Sequence, residues 1–511
     1  MARYAYDRLS AQDASFLAAE GPHTPMHVSA IQIFEAGPLR EEGGIDVEAI
    51  RRAYESVIHL VPRYRQKLAW IPIENRPVWI DDPHFQIDYH IRHVALPHPG
   101  GLDELKRVAS RVMAHALDRN RPLWELWVIE GLSGDRFATV AKTHHCMIDG
   151  ASGVELAQRL LSPTPTREIA DPPPFYPRPT PSGRELLRDE IARRIMMPLR
   201  ALHGLQAFRA EVDDVRSELG VRLKALGDLA SLAWSGVSET PINGPLSPHR
   251  RFDWHDMSLD EVKAVRRKLG CTVNDVVLGT VTEAVRRFLL SRGVPPAHIR
   301  FRAATPVSVR GESERQAMGN RVSSWMVDLP IAEPDRLRQI EILHRETQHL
   351  KDTRQALGVD MLMAAAEVAP MGLMAFGAQM ASGPVNTIVT NVPGPQFPLY
   401  MLGARMLAMI PQVPLIEGIG LGIALMSYDG RIFWGFTGDY EMLPDLDEFA
   451  RTIADSFAEL ARLAGVEVTK AEAGFEGDGP VQSKPTPSPA RPPRTTGLGL
   501  GANGNGVPRS A

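Results

Sequence analysis

The spacing of apolar positions changes repeatedly along the first third of the chain and predicts alternating strands and helices. "MHVSAIQIFE" (26–35) is rich in β-branched residues and reads as a strand. In "DVEAIRRAYESVIHLV" (46–61), Val47, Ile50, Tyr54, Val57, Ile58 and Val61 recur at helical spacing. "LDELKRVASRVMAHAL" (102–117) predicts a second amphipathic helix. "PLWELWVIEGL" (122–132) and "RFATVAKTHH" (136–145) predict two strands joined by the turn "SGD", and "ASGVELAQRLL" (151–161) returns to helix.

The pattern breaks at Ser162. "SPTPTREIADPPPFYPRPTPSG" is dense in proline, which disfavours helix and sheet alike and predicts a linker. An Arg- and Leu-rich helical stretch follows over 184–235, and 162–248 is read as one crossover between domains. A second α/β segment then predicts helices at 259–269 and 273–291, strands at 299–309 and 321–329, helices at 335–356 and 359–380, and a strand at 385–392. "GIGLGIALMSYDGRIFWGFTGDY" (418–440) predicts a hairpin turning at Asp429-Gly430, and a last helix spans 444–464. The expected organisation is therefore an N-terminal domain over 1–161, the crossover over 162–248, a C-terminal domain over 249–466, and a Gly/Pro/Ser-rich tail over 467–511 too poor in large apolar residues to fold.

Length supports this division, since 511 residues exceed one ordinary core. The formal net charge of −4 gives no electrostatic reason to expect nucleic acid. Two cysteines, Cys146 and Cys271, cannot build a disulfide framework and fit a reducing compartment. The N-terminus lacks the basic and apolar regions of a secretory signal. The uncharged stretch from Val368 to Ala404 is interrupted by Pro370, Gly372, Gly377, Gly383, Pro384, Pro393 and Pro395. A spanning helix needs about 20 unbroken apolar residues, so this stretch is read as buried core.

Candidate chemistry concentrates in "THHCMIDG" (143–150). Successive side chains of a strand point to opposite faces, so His144 and His145 are not expected to converge on one zinc ion. A pair of core histidines, with Asp149 capping the next helix, is the bland alternative. The functional alternative is a neutral imidazole acting as a base, with its tautomer fixed by a neighbouring acceptor. No G-x-S-x-G elbow occurs, which argues against a serine hydrolase, and Cys146 is expected to be an ordinary buried thiol. Thr272 and Asp275 have capping-box spacing, and Glu125 among apolar neighbours predicts a buried, paired carboxylate.

"HHCMIDG" resembles the HHxxxDG signature of CoA-dependent acyltransferases and condensation domains. With "LSAQDASFL" (9–17), "PLWE" (122–125), "NDVVL" (274–278) and "NVPGP" (391–395), the chain over about 1–465 resembles bacterial wax ester synthase/acyl-CoA:diacylglycerol acyltransferases. The resemblance implies a mixed α/β fold of two chloramphenicol-acetyltransferase-like domains, each a mixed sheet flanked by helices, with a tunnel at their interface. It implies His145 as general base, with His144 and Asp149 completing the catalytic motif and Gly150 shaping its loop. Asn274 and Asp275 are expected to support that loop, and Asn391, Pro393 and Gly394 are candidates for lining the channel. Arg310 is a candidate partner for Asp149, and the Met-rich run 361–380 is a candidate channel wall.

The implied activity is transfer of a long-chain acyl group from acyl-CoA, a substrate rather than a cofactor, to diacylglycerol or a fatty alcohol. No cofactor and no metal are expected. The expected location is the cytoplasm, attached peripherally to the inner membrane face or to lipid droplets, with 184–235 as a candidate contact. An acyltransferase acting on a polyketide or glycolipid hydroxyl, and an inactive lipid-storage surface protein, are the rival readings.

Overall fold

The computed structural model describes residues 6–147, 161–196, 236–308, 322–352 and 384–468. The chain begins with β1 (Tyr6–Arg8), α1 (Ala11–Ala19) and β2 (His27–Glu35), followed by the ribbon β3 (Arg40–Glu41) and β4 (Gly44–Ile45). Next come α2 (Val47–Val57), β5 (Gln66–Trp70), β6 (Pro77–Asp81), α3 (Ile87–His90) and β7 (Ile91–Ala95). Helix α4 (Leu102–Ala114) and strands β8 (Trp124–Leu132) and β9 (Arg136–His144) complete the first part. Helix α5 covers 183–196.

The second part runs β10 (Arg250–Ser258), α6 (Leu259–Leu269), α7 (Val273–Ser291), β11 (Phe301–Ser308), β12 (Val322–Leu329) and α8 (Arg336–Asp352). It ends with β13 (Thr387–Pro393), β14 (Tyr400–Met401), β15 (Ala404–Gln412), β16 (Leu421–Tyr428), β17 (Arg431–Asp439) and α9 (Leu446–Leu463). None of the described helices is long and apolar enough to cross a membrane. The predicted helix 359–380, the tail beyond 468, and Asp149, Gly150 and Arg310 lie outside the described residues.

Two six-stranded mixed sheets organise the molecule, ordered β14-β15-β2-β9-β8-β7 and β10-β17-β16-β13-β11-β12. In the first, β9 is central and contributes Phe137, Ala138 and Val140 to a core closed by α2 and α4. The apolar faces of those helices follow the predicted spacing: Val47, Ile50 and Tyr54 are buried in α2, and Leu105, Ala109 and Val112 in α4. In the second, α7 is buried nearly all round, from Asp275 through Val285, which suits a helix that is apolar on most faces. The β16–β17 hairpin turns at Asp429 and Gly430, both with positive φ (43° and 80°), as a two-residue primed turn requires.

The predicted domain boundary at 249 does not describe the sheets. Residues 400–412, placed by sequence in the C-terminal domain, pair with the first sheet. Strand β15 lies antiparallel to β2, with Ile410 opposite Ile31 and Gln412 opposite Ser29. Without β15, the nine-residue strand β2 would carry an open edge. Nor is the proline-rich linker detached, because Ser162 and Tyr400 exchange backbone hydrogen bonds of 2.9 and 2.8 Å.

The two sheets also meet directly. A Cβ at Gly435 of β17 would drive into the carbonyl oxygen of Pro411 in β15. On the other side, α4 reaches β10, where Lys106 pairs with Asp253 at 2.6 Å and lies over the Trp254 ring. Gly435→Ala should therefore cost about 3 kcal/mol, at the upper end for inserting a methyl into a packed site. Ala substituted at Gly236, where a Cβ meets open space, is the control. Equal denaturation midpoints for the two variants would contradict this close approach.

Candidate active site

Strand β9 ends at His144, and this ending separates the two histidines. The His144 N–H donates to Leu123 O at 2.9 Å, and the His145 N–H donates to Met26 O at 2.8 Å. One histidine is thereby tied to the start of β8 and the other to the entry of β2. His144 is fully buried, with its Nδ1 accepting from the Cys146 N–H at 3.1 Å. An N–H donated into Nδ1 leaves the proton of a neutral imidazole on Nε2, which faces Glu20 Oε1 at 3.5 Å. His145 is half-buried, and its ring stacks on Phe16 with centroids 3.9 Å apart and planes 16° apart. The His144 ring thus lies against Glu20 and the His145 ring against Phe16. Among the described residues no three His, Cys, Asp or Glu side chains form a metal-binding group.

Glu20, which sequence reasoning missed, is the hub behind His144. It follows α1, the helix that delivers Phe16, and its own N–H donates to Phe16 O at 3.2 Å. Arg119 donates to Glu20 Oε2 from Nε (3.1 Å) and from a terminal nitrogen (2.5 Å). The Met26 N–H donates to Oε1 at 3.1 Å, and His27 Nε2 lies 3.4 Å from the same oxygen. Burial opposes ionisation of this carboxyl, but the contacts from His144, His27 and Arg119 outweigh it and hold it well below the usual carboxylate range.

One carboxylate thus fixes both flanks of the motif, Met26 on one side and His144 on the other. His27 pairs with His144 in the β2–β9 register, and burial pushes its pKa down to about 3. That pairing was the available sequence signal, since His27, second in the predicted strand 26–35, falls opposite His144, next to last in 136–145.

Other elements grip the same region. Arg250 of β10 donates to His23 O, within the loop between Glu20 and Met26, so the second part of the chain helps to hold that loop. Lys142 sends its ammonium to Val112 O (2.7 Å) and to His115 O, capping the carbonyl end of α4; burial lowers its pKa to about 8. Trp124 of the "PLWE" block donates from its indole to Tyr64 O at 2.8 Å and stacks on His90. Glu125 pairs with Arg92 at 3.0 Å, as its apolar neighbours predicted. Cys146 is a buried thiol with its pKa raised by burial, and it lies in the turn after β9 rather than in the strand.

The structure leaves the remaining candidates in the second part of the chain. Asp275 caps α7: its carboxylate accepts from the Thr272 N–H (2.9 Å), Thr347 Oγ1 (2.8 Å) and His344 Nδ1 (2.7 Å). Burial raises its pKa, but these bonds lower it further, giving a net depression. Asn274 is half-buried on the first turn of the same helix. Asn391 is half-buried in β13 opposite Leu425, and Pro393 is exposed at that strand's end. Gly394 is accounted for by packing, since a Cβ there would meet Ser427 O. None of these residues shares a described contact with His145. Three of the five sequence blocks converge: α1 supplies Phe16, Leu123 just before β8 holds the His144 N–H, and the two histidines are the last residue of β9 and the one after it.

This architecture of two mixed sheets flanked by helices is shared with condensation domains. The first condensation domain of the calcium-dependent antibiotic synthetase superposes with a TM-score of 0.56 over 91% of this chain and 97% of its own, at 16% identity. The wax ester synthase/diacylglycerol acyltransferase from Marinobacter aquaeolei VT8 superposes with a TM-score of 0.62 over 90% of this chain and all of its own, at 25% identity.

Residues 9–277 match the wax ester synthase/diacylglycerol acyltransferase catalytic domain, and residues 318–461 match the C-terminal domain of that family. A probable diacylglycerol O-acyltransferase, tgs1, of Mycobacterium tuberculosis H37Rv is 32% identical over 465 residues, covering 90% of this chain and 96% of the relative. A second from the same strain, tgs2, is 31% identical over 90% of this chain and all of its own length. The chain belongs to the wax ester synthase/diacylglycerol acyltransferase family and is an acyltransferase.

The Glu20 hub carries a pH signature. The folded His27 pKa of about 3 lies below the ordinary value of 6.5, so the unfolded chain takes up a proton that the folded chain refuses. Stability is lost as pH falls from 6.5 toward 3, at up to about 1.4 kcal/mol per pH unit for one proton. The depressed Glu20 pKa adds a loss in the same direction below about pH 4.5. His27→Asn should therefore flatten the fall in stability between pH 6.5 and 4.5, whatever it does to stability at pH 7. Parallel curves for parent and variant, measured by denaturant melts at each pH, would contradict the assignment.

Proposed function

We propose that the protein moves a long-chain acyl group from acyl-CoA to the hydroxyl of diacylglycerol or of a fatty alcohol, with His145 as general base. The reading is supported by family membership together with one observation. His144 is fully buried with its Nε2 facing Glu20, whereas the adjacent His145 is half-buried with its ring stacked on Phe16.

In this reaction the neutral His145 imidazole removes the hydroxyl proton as the alcohol oxygen attacks the thioester carbonyl. A carbon–oxygen bond forms, and a tetrahedral oxyanion carries the charge. Its collapse breaks the carbon–sulfur bond, and the imidazolium returns the proton to the departing CoA thiolate. The products are an ester and free CoA, and no cofactor or metal takes part.

His144 serves as the positioning neighbour. Asp149 and Gly150 brace and shape the motif loop. Asn274 and Asp275 support that loop from the second part of the chain, and Asn391, Pro393 and Gly394 line the acyl channel. The acceptors are membrane-borne, so the enzyme works on the cytoplasmic face of the inner membrane or on lipid droplets.

General-base assistance is worth about 10²–10⁴-fold. His145→Ala should lose turnover by that factor in a thiol-release assay with palmitoyl-CoA and diacylglycerol or hexadecanol, while its circular dichroism stays parental. Near-parental turnover in the variant would refute the base assignment. A folded parent that releases no thiol with either acceptor would favour the storage-protein or alternative-acceptor readings.

A further inference from the structure

Helix α5 turns an unusual face to solvent. Its inward side is anchored: Leu186 is buried with Tyr6, Ile71, Val78 and Ile80, and Glu190 pairs with Arg8 and Arg193. On the opposite side, Arg184, Arg188, Ile191 and Ile195 stand at i, i+4, i+7 and i+11, which is one stripe of a helix. Ile191, Ile195 and Met196 are 52%, 70% and 49% exposed. Glu185, Asp189 and Glu190 fall outside that stripe, so its own charges are two arginines, of which Arg188 is paired sideways with Asp189 at 3.3 Å.

A second element stands beside it. The tip of the β5–β6 hairpin carries Ile73, which is 91% exposed and has φ of 71°. A β-branched residue is disfavoured at positive φ, where glycine or asparagine is usual, so exposure and strain coincide at one isoleucine. The flanking residues fix this tip against α5: Pro72 lies under Gly183, and Glu74 pairs with Arg194. Trp70, 38% exposed, ends the strand leading to the tip.

We propose that this face docks the protein on an anionic lipid surface. Ile73, Ile191, Ile195 and Met196 enter the interfacial region, and Arg184 and Arg188 meet the headgroups. Aliphatic side chains beside arginines, with no carboxylate on the stripe, complement an apolar layer under negative charge. A second copy of the chain fits less well, because a two-fold contact through this stripe would bring Arg184 and Arg188 against their own equivalents. The proposal deepens the reading above, whose acceptors are membrane-borne. It is tested by binding without turnover, so either can fail alone.

The experiment is flotation of the full chain with vesicles of phosphatidylcholine, alone or mixed with phosphatidylglycerol. The parent should float with the mixed vesicles and only weakly with the neutral ones. Ile191→Ser with Ile195→Ser should reduce partitioning by about a hundredfold, at about tenfold for each aliphatic side chain removed from the interface. Arg184→Gln with Arg188→Gln should lower the preference for anionic vesicles by about fivefold per arginine, with a matching loss of salt sensitivity. Ile73→Gly relieves the positive φ and so should fold at least as well as the parent, yet it should still bind vesicles more weakly. Equal flotation of the parent and all three variants overturns the proposal. So does a parent that floats with neither vesicle, or variants that lose self-association while binding vesicles normally.

Discussion

A buried carboxylate held by one arginine, two histidines and a backbone N–H is the interaction on which the site depends. A carboxylate in that position is tolerable only because its charge is compensated by Arg119 and its lone pairs are occupied. Glu20 accepts the Met26 N–H at 3.1 Å, and the same oxygen faces His144 Nε2 at 3.5 Å. His144 is thereby spent on structure. Its neighbour, one residue past the end of the strand, is left to face a different environment with its backbone pinned to Met26. The doubled histidine thus divides into one ring buried beside Glu20 and one half-buried against Phe16.

The same logic extends outward. The loop between Glu20 and Met26 is gripped by Arg250 from the second sheet, and the edge of the first sheet is closed by β15, which arrives from residues 404–412. Strands β15 and β17 approach so closely at Pro411 and Gly435 that only glycine fits. The two halves are therefore not independent units joined by a tether. The loop beside the motif of the first is gripped by Arg250 of the second, 227 residues from His23 along the chain.

Much of the fold was legible where periodicity was strong. Helices Leu259–Leu269 and Val273–Ser291 occur where apolar spacing places them, and the Asp429-Gly430 turn forms the predicted hairpin. Strand β10 was missed because "RRFDWHDMS" hides its buried positions among charged residues: Arg250, Asp253 and Asp256 are buried through pairing, not through apolarity. Strand β15 was missed because it begins where the apolar stretch read as core ends, and nothing local says that it crosses to the other sheet. At the site, strand alternation already set His144 and His145 apart by sequence, but in the structure they part because β9 ends at His144. Glu20 was not, because a buried ion cluster depends on partners such as Arg119, 99 residues distant, whose approach only the folded chain creates. The family resemblance recovered the motif by matching residues, and the geometry shows why the first and second blocks accompany it: they build the wall and the neighbouring strand.

The central claim, which builds on the proposed role of His145, is that Glu20 positions the strand end beside it rather than merely stabilising the fold. The measurement closest to it is the steady-state kinetics of Glu20→Gln, a change that keeps size but removes the charge. At temperatures well below its unfolding, the variant should lose kcat by an amount on the order of 10²-fold, as expected for a misplaced reacting group, with the acyl-CoA KM little changed. A variant that melts earlier but turns over at the parental kcat would contradict the account and reduce Glu20 to a structural ion.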